Sequence, residues 1–98
     1  MSTVYIDAGA DAPEVMSLVR AAVEAEARRL ELALEAALRR LAPFEEKYGV
    51  SSERFMLVMA AEDLAGGDDE YVQWAGEYRL TERLQAKLTQ IQEIRFGT

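Results

Sequence analysis

The chain has no cysteine and no histidine. Disulfide staples are excluded, so stability must come from packing or association. Zinc sites draw on Cys or His in nearly every case, and Ser-His-Asp or Cys-His nucleophilic chemistry has no residues to be built from. Prolines number only two, Pro13 and Pro43, which argues against a disordered chain. No apolar run approaches the ~20 residues of a membrane span. Bases are scarce beside acids, 11 Lys and Arg against 18 Asp and Glu, for a net charge of −7. Phosphate binding needs clustered Lys and Arg, so a general nucleic-acid footprint is not expected, whereas a basic protein partner would be attracted. The opening MSTVYIDAGADAPEV lacks the basic start of a signal peptide, and the missing cysteines make the cytoplasm the default compartment.

What is present points to helices. Of 98 residues, half are hydrophobic and 30% charged, with Ala, Glu, Leu and Arg commonest, the mix of long helices and coiled coils. The length allows one small domain. We read it as all-α: an extended N-terminal arm over 1–10, then a helical bundle or hairpin over 11–98 built from a long, a short buried and a long helix. Thr3-Val4-Tyr5-Ile6 is β-prone, and an isolated strand must pair with something or lie as an arm. The first helix is expected to start with Asp11 or Ala12 as N-cap and Pro13 at the first position. It runs to Tyr48 and stops at Gly49.

Ala27, Leu30, Leu34, Ala37, Leu41, Phe44 and Tyr48 alternate by three and four, which is a heptad seam. Val15, Val19 and Val23 extend the stripe. Pro43 is expected to kink or break the helix near Arg39 to Leu41. Some 36 residues at ~1.5 Å each make ~54 Å of helix, longer than a compact domain of radius of gyration ~13 Å can cover. A second chain or a fold-back is therefore required.

Ser51 reads as the N-cap of a second helix from Ser52 to about Leu64, apolar on most sides and hence buried. Ala65-Gly66-Gly67 ends it. Asp68 reads as the N-cap of a last helix reaching about Phe96, with Tyr71, Trp74 and Tyr78 on one face and Leu80, Leu84, Leu88, Ile91 and Ile94 continuing the stripe. Gly76 within it costs ~1 kcal/mol relative to Ala, explicable by a close helix approach, a functional contact or plain tolerance. The expected oligomer seam is Leu30, Leu34, Leu41, Trp74, Leu84, Leu88 and Ile91.

Four groups are candidate sites. The stretch EDLAGGDDEY holds Glu62, Asp63, Asp68, Asp69 and Glu70 with no balancing base. Acids at a helix N-terminus contribute about 0.3–1 kcal/mol each, so stability alone explains several. The other readings are a partner-facing patch, which would add Tyr71 and Tyr78 through their hydroxyls, and a Mg²⁺ or Ca²⁺ loop, whose spacing does not match an EF-hand. Glu45-Glu46 could serve acid–base chemistry only if one were buried; a solvated helix face is the expectation. Trp74 reads as core or seam, though Trp, Tyr and Arg also mark interface hot spots. Arg28, Arg29, Arg39 and Arg40 interleave with Glu24, Glu26, Glu31 and Glu35 as a mixed-sign exposed face. No catalytic, cofactor-binding or metal-ligating residue is assigned.

The run LAPFEEKYGVSSERFMLVMAAEDLAGGDDEYVQWAGEYRL resembles a pattern in small prokaryotic proteins. Its fixed points are Phe44, Tyr48, Gly49, Ser51, Ser52, Phe55, Asp68, Trp74 and Tyr78. Proteins with this pattern resemble the antitoxin half of toxin–antitoxin gene pairs, the partners of TumE-type toxins. The resemblance implies a non-catalytic protein that masks a basic partner, often an RNase, by surface complementarity. Two departures stand out. Arg54 occupies the place of an acid that would complete a capping box, and Pro43 precedes FEEKYG.

Three other readings compete: a homo-oligomeric coiled-coil adaptor or assembly protein, a carboxylate–metal enzyme, and a DNA-binding autoregulator. For the last, the helix after KYGVSS carries a single base, Arg54, too little for phosphates and bases together.

Overall fold

The computed structural model describes residues 2–5 and 12–97, with side chains at Thr3, Tyr5 and 12–94. A long helix α1 (Ala12–Tyr48), a short helix α2 (Ser52–Val58) and a second long helix α3 (Gly67–Gln92) follow one another, with one 3₁₀ turn at Ala61–Asp63 between α2 and α3. The body is thus the long–short–long helical arrangement expected. Asp11, as a cap of α1, and Ile6 and the rest of 6–10, as part of the arm, lie outside the described residues.

α1 ends where the glycine signal placed it. Gly49 has φ +65°, a conformation that costs glycine nothing and other residues about 1–2 kcal/mol. Its N–H bonds back to the Glu45 carbonyl at 2.8 Å. Pro43 does not break α1, which is helical on both sides of it. The ring stands on the exposed side, where water can reach the carbonyl that loses its donor.

The heptad stripe is covered within the chain. Leu30, Ala37, Leu84 and Leu88 are buried together, with Ala27, Leu34, Leu80 and Ile91 packed against them. Leu41 and Trp74 join Phe55, Leu64 and Ala75 in a second cluster at the closed end of the hairpin. The expected oligomer seam (Leu30, Leu34, Leu41, Trp74, Leu84, Leu88, Ile91) is therefore the α1–α3 interface of one molecule. The overhang persists in part: the molecule measures 63 × 20 × 19 Å.

Three boundaries differ from expectation. α2 stops at Val58 rather than near Leu64, because Met59 and Ala60 turn extended and Asp63 caps the next turn by accepting the Ala60 N–H at 2.8 Å. α3 begins at Gly67 with Gly66 as its N-cap, so Asp68 lies inside the first turn. The last helix ends at Gln92 instead of Phe96. Ile94–Gly97 forms strand β2, paired in parallel with β1, Ser2–Tyr5, in the register Ser2 to Ile94 and Tyr5 to Gly97. Ile94 and Phe96 are β-formers, and the N-terminal arm supplies the ladder that an isolated strand lacks. A Cβ added at Gly76 would meet nothing within 4 Å, so no close helix approach requires that glycine.

Candidate functional site

The closed end of the hairpin is the most densely organised part of the molecule. Trp74, fully buried, is its centre. Phe55 lies parallel to it at 3.8 Å between centroids and 1° between planes. Phe44 and Tyr48 stack on it at 5.4 and 5.6 Å, and Tyr71 tilts against Phe55 at 5.1 Å. Periodicity explains the convergence: Phe44 and Tyr48 are one turn apart on α1, and Tyr71 and Trp74 are three apart on α3.

Two polar clasps fasten this aromatic block. In the first, the Trp74 Nε1–H donates to Ser52 Oγ at 2.8 Å. The Ser52 hydroxyl and its backbone N–H each donate to Glu45 Oε2 at 2.8 Å. Glu45 is therefore no solvated residue but the acceptor for the start of α2, while its neighbour Glu46 is exposed. Ser51 caps α2 as expected, accepting the Arg54 N–H at 3.1 Å. With Arg54 in place of an acid no capping box forms, and a carboxylate from α1 instead takes the Ser52 N–H, another of the unpaired donors at the start of α2.

In the second clasp, Lys47 Nζ donates to Glu70 Oε2 at 2.8 Å, the Tyr48 hydroxyl donates to Glu70 Oε1, and the Gly66 N–H reaches the same oxygen at 3.1 Å. Tyr48 in turn accepts the Ala65 N–H at 2.9 Å. The hydrogen bond from Lys47, then that from Tyr48, holds the Glu70 carboxyl down to about 2 from its ordinary 4.5. Lys47 is raised in return, chiefly by its bond to Glu70. Because the folded value is the lower one, the clasp stabilises the chain fully above pH 4.5. Its contribution fades as pH falls toward 2. Glu70→Gln should thus be less stable than wild type at pH 6, and the gap between their urea midpoints should close between pH 4.5 and 2. A gap that stays constant over that range would contradict the clasp.

The structure separates the candidate partner-binding residues. Glu62, Asp63, Asp68 and Asp69 are exposed at the closed end, and Asp63 also caps Ala60. Glu70 is turned inward to Lys47 and Tyr48. Tyr71 and Tyr78 pack against the core cluster; burial, followed by the nearby Glu82 and Glu53, raises the Tyr78 hydroxyl. Beside the four exposed acids the same end shows apolar side chains, Leu57 at 76% exposure, Val72 at 67% and Val58 at 55%. The sequence reads Glu45 as half of a solvated pair and Ser52 only as a point of the resemblance, and does not single out Lys47, since their partners lie on other helices. The one local trace was the doubled serine, of which only one can be the cap.

On α1 the interleaved charges pair locally, Arg28 with Glu31 at 3.4 Å and Arg29 with Glu26, while Arg40 crosses to Glu77 on α3 at 2.9 Å. Among the described residues no three acidic side chains converge to hold a metal ion, and no helix is long and apolar enough to cross a membrane. Comparison with protein-family models, with curated proteins and with solved structures gives no match.

Proposed function

We propose that this chain is a non-catalytic, cytoplasmic binding protein of the antitoxin kind, which masks a basic protein partner with the closed end of its hairpin. The observation that carries this reading is the pairing of surface types there. Glu62, Asp68 and Asp69 are exposed with no ion pair among the described residues, next to the exposed Leu57, Val58 and Val72. Apolar anchors beside an excess of exposed acids suit a partner of opposite charge. The aromatic block and its two clasps sit directly beneath and hold that surface in shape before any partner arrives, which lowers the ordering cost of binding. The resemblance carried by Phe44, Tyr48, Gly49, Ser51, Ser52, Phe55 and Trp74 supports the same reading, because those residues build the block. The alternative, a homo-oligomeric adaptor, needs no basic partner.

The test is co-expression with the product of a neighbouring short gene encoding a basic protein. Wild type should restore growth that the partner alone abolishes. The variant Glu62→Lys/Asp68→Lys/Asp69→Lys should keep its helical circular dichroism yet bind on the order of 10²-fold more weakly, with most of the loss in association rate and salt dependence. Failure of wild type to rescue, or rescue by the triple variant as complete as that by wild type, would sink the reading.

A further inference from the structure

The two faces of the α1–α3 hairpin differ in kind. One is laced with charge: Arg40 pairs with Glu77 at 2.9 Å, Arg29 pairs with Glu26, and Lys87 lines the same side as that second pair. The other holds an open groove of about 680 Å³ whose walls include Leu34, Leu38, Tyr78, Thr81, Gln85 and Ala86, with Glu82 its one charged lining residue. Nearly a third of this chain is charged, so a groove with a single charged lining residue is a selective feature of the surface. Leu38 stands in it half exposed.

The molecule also carries more surface than its mass warrants. Its accessible area is 6745 Å², whereas a compact monomer of this mass exposes roughly 5,600 Å². The excess, about 1,100 Å², is comparable to the ~800 Å² per partner that a standard interface removes. The radius of gyration, 19.3 Å, exceeds the ~13 Å of a compact chain of this length. Two antiparallel helices form one layer, and a helical core is completed by a second.

We infer that the neutral groove seats the same groove of a second copy, a two-fold contact that closes two hairpins into a four-helix bundle. The occupant follows from charge. A basic partner would need several acids in the groove, and its lining holds one, Glu82. Two copies, each of net charge −7, repel wherever their carboxylates are opposed, and the groove lining holds a single carboxylate, that of Glu82. In a two-fold contact one surface supplies both halves: the half-exposed Leu38 is a knob, and small residues such as Thr81 and Ala86 leave room for it on the facing copy. The groove reaches Tyr78 of the closed-end cluster but none of Leu57, Val58, Glu62, Asp68, Asp69 and Val72, so the contact is independent of the partner-masking reading.

Native mass spectrometry and light scattering of the full chain test it. Wild type at about 100 µM should have twice the 11.0 kDa chain mass, and Leu38→Glu should weaken dimerisation at least about tenfold while helical circular dichroism is kept. Leu32→Glu places the same charge on the side of α1 away from Leu34 and should leave the dimer intact. If Leu38→Glu loses helicity, Gln85→Glu at the exposed wall of the groove is read in its place. A wild-type mass of one chain at that concentration would overturn the inference. So would groove variants that dimerise as tightly as wild type, or a Leu32→Glu that dissociates as readily as they do.

Discussion

Trp74→Ala should unfold most of the molecule at 25 °C, or leave it less stable by about 3–5 kcal/mol. Trp74 is fully buried with Phe55, and three rings lie against its faces and edges. Truncation therefore removes a large side chain and leaves a hole bounded by rings on α1 and α2 that cannot all collapse into it. A domain of this size has a total stability of only about 5–15 kcal/mol. The loss should not stay local. The chain between α1 and α3 is held to the hairpin through Phe55, Leu64 and the Trp74 cluster. Without that cluster it becomes a long loop whose closure entropy the Leu30–Leu84–Leu88 cluster alone must offset. Trp74→Phe keeps a ring but forfeits the bond to Ser52, and should cost about 1–2 kcal/mol. Urea titration followed by far-UV circular dichroism reads both variants, since neither retains a tryptophan for fluorescence. A loss under about 1 kcal/mol for the alanine variant would mean that the block is not the keystone of the fold.

Legibility in the sequence followed the range of each interaction. Gly49 as a stop, Ser51 as a cap and the seven-residue seam from Ala27 to Tyr48 depend on neighbours within a turn or two, and the structure has them where periodicity and capping chemistry put them. The seam's partner was not legible. A three–four alternation faces an apolar stripe equally well on a second copy or on the same chain, and only the fold-back at 49–66 decides between them. The end of α2 is not legible because Met59 and Ala60 carry no glycine or proline signal. Asp63, which organises the break, reads like any exposed acid until its bond to the Ala60 N–H is seen. The end of α3 failed for a different reason. Ile94 fits the helical stripe as well as it fits a strand, and the competing ladder is supplied from the other end of the chain. Within the candidate site, the stretch EDLAGGDDEY marks Glu62, Asp63, Asp68 and Asp69, and all four are exposed. Glu70 reads as one of them because its neighbours are acids, and the pull of Lys47 and Tyr48, 23 and 22 residues away, leaves no local mark.

Glu45→Ala should lower stability by about 2–3 kcal/mol, well beyond the effect of an exposed helix glutamate. The carboxylate accepts both the backbone N–H and the hydroxyl of Ser52, and Ser52 is buried. Removing it strands a backbone donor away from water and releases the hydroxyl that Trp74 uses as its acceptor. The substitution Glu45→Gln leaves an oxygen for Ser52 but no charge, and should recover roughly half of the loss. A double-mutant cycle with Ser52→Ala isolates the clasp. The two alanine substitutions together should cost less than their sum by about 1 kcal/mol, because the bond from the Ser52 hydroxyl to the Glu45 carboxylate is already lost in either one alone. Additivity within about 0.3 kcal/mol would show the two residues to be independent. The clasp also sets where α2 leaves α1, and Leu57 and Val58 ride on the end of α2. If the closed end is the partner surface, Glu45→Ala should weaken partner binding even at temperatures where the chain remains folded, since the apolar anchors lose the helix start that aims them. A folded Glu45→Ala that binds like wild type would separate the stability of the corner from its function and place the recognition on the acidic turn alone.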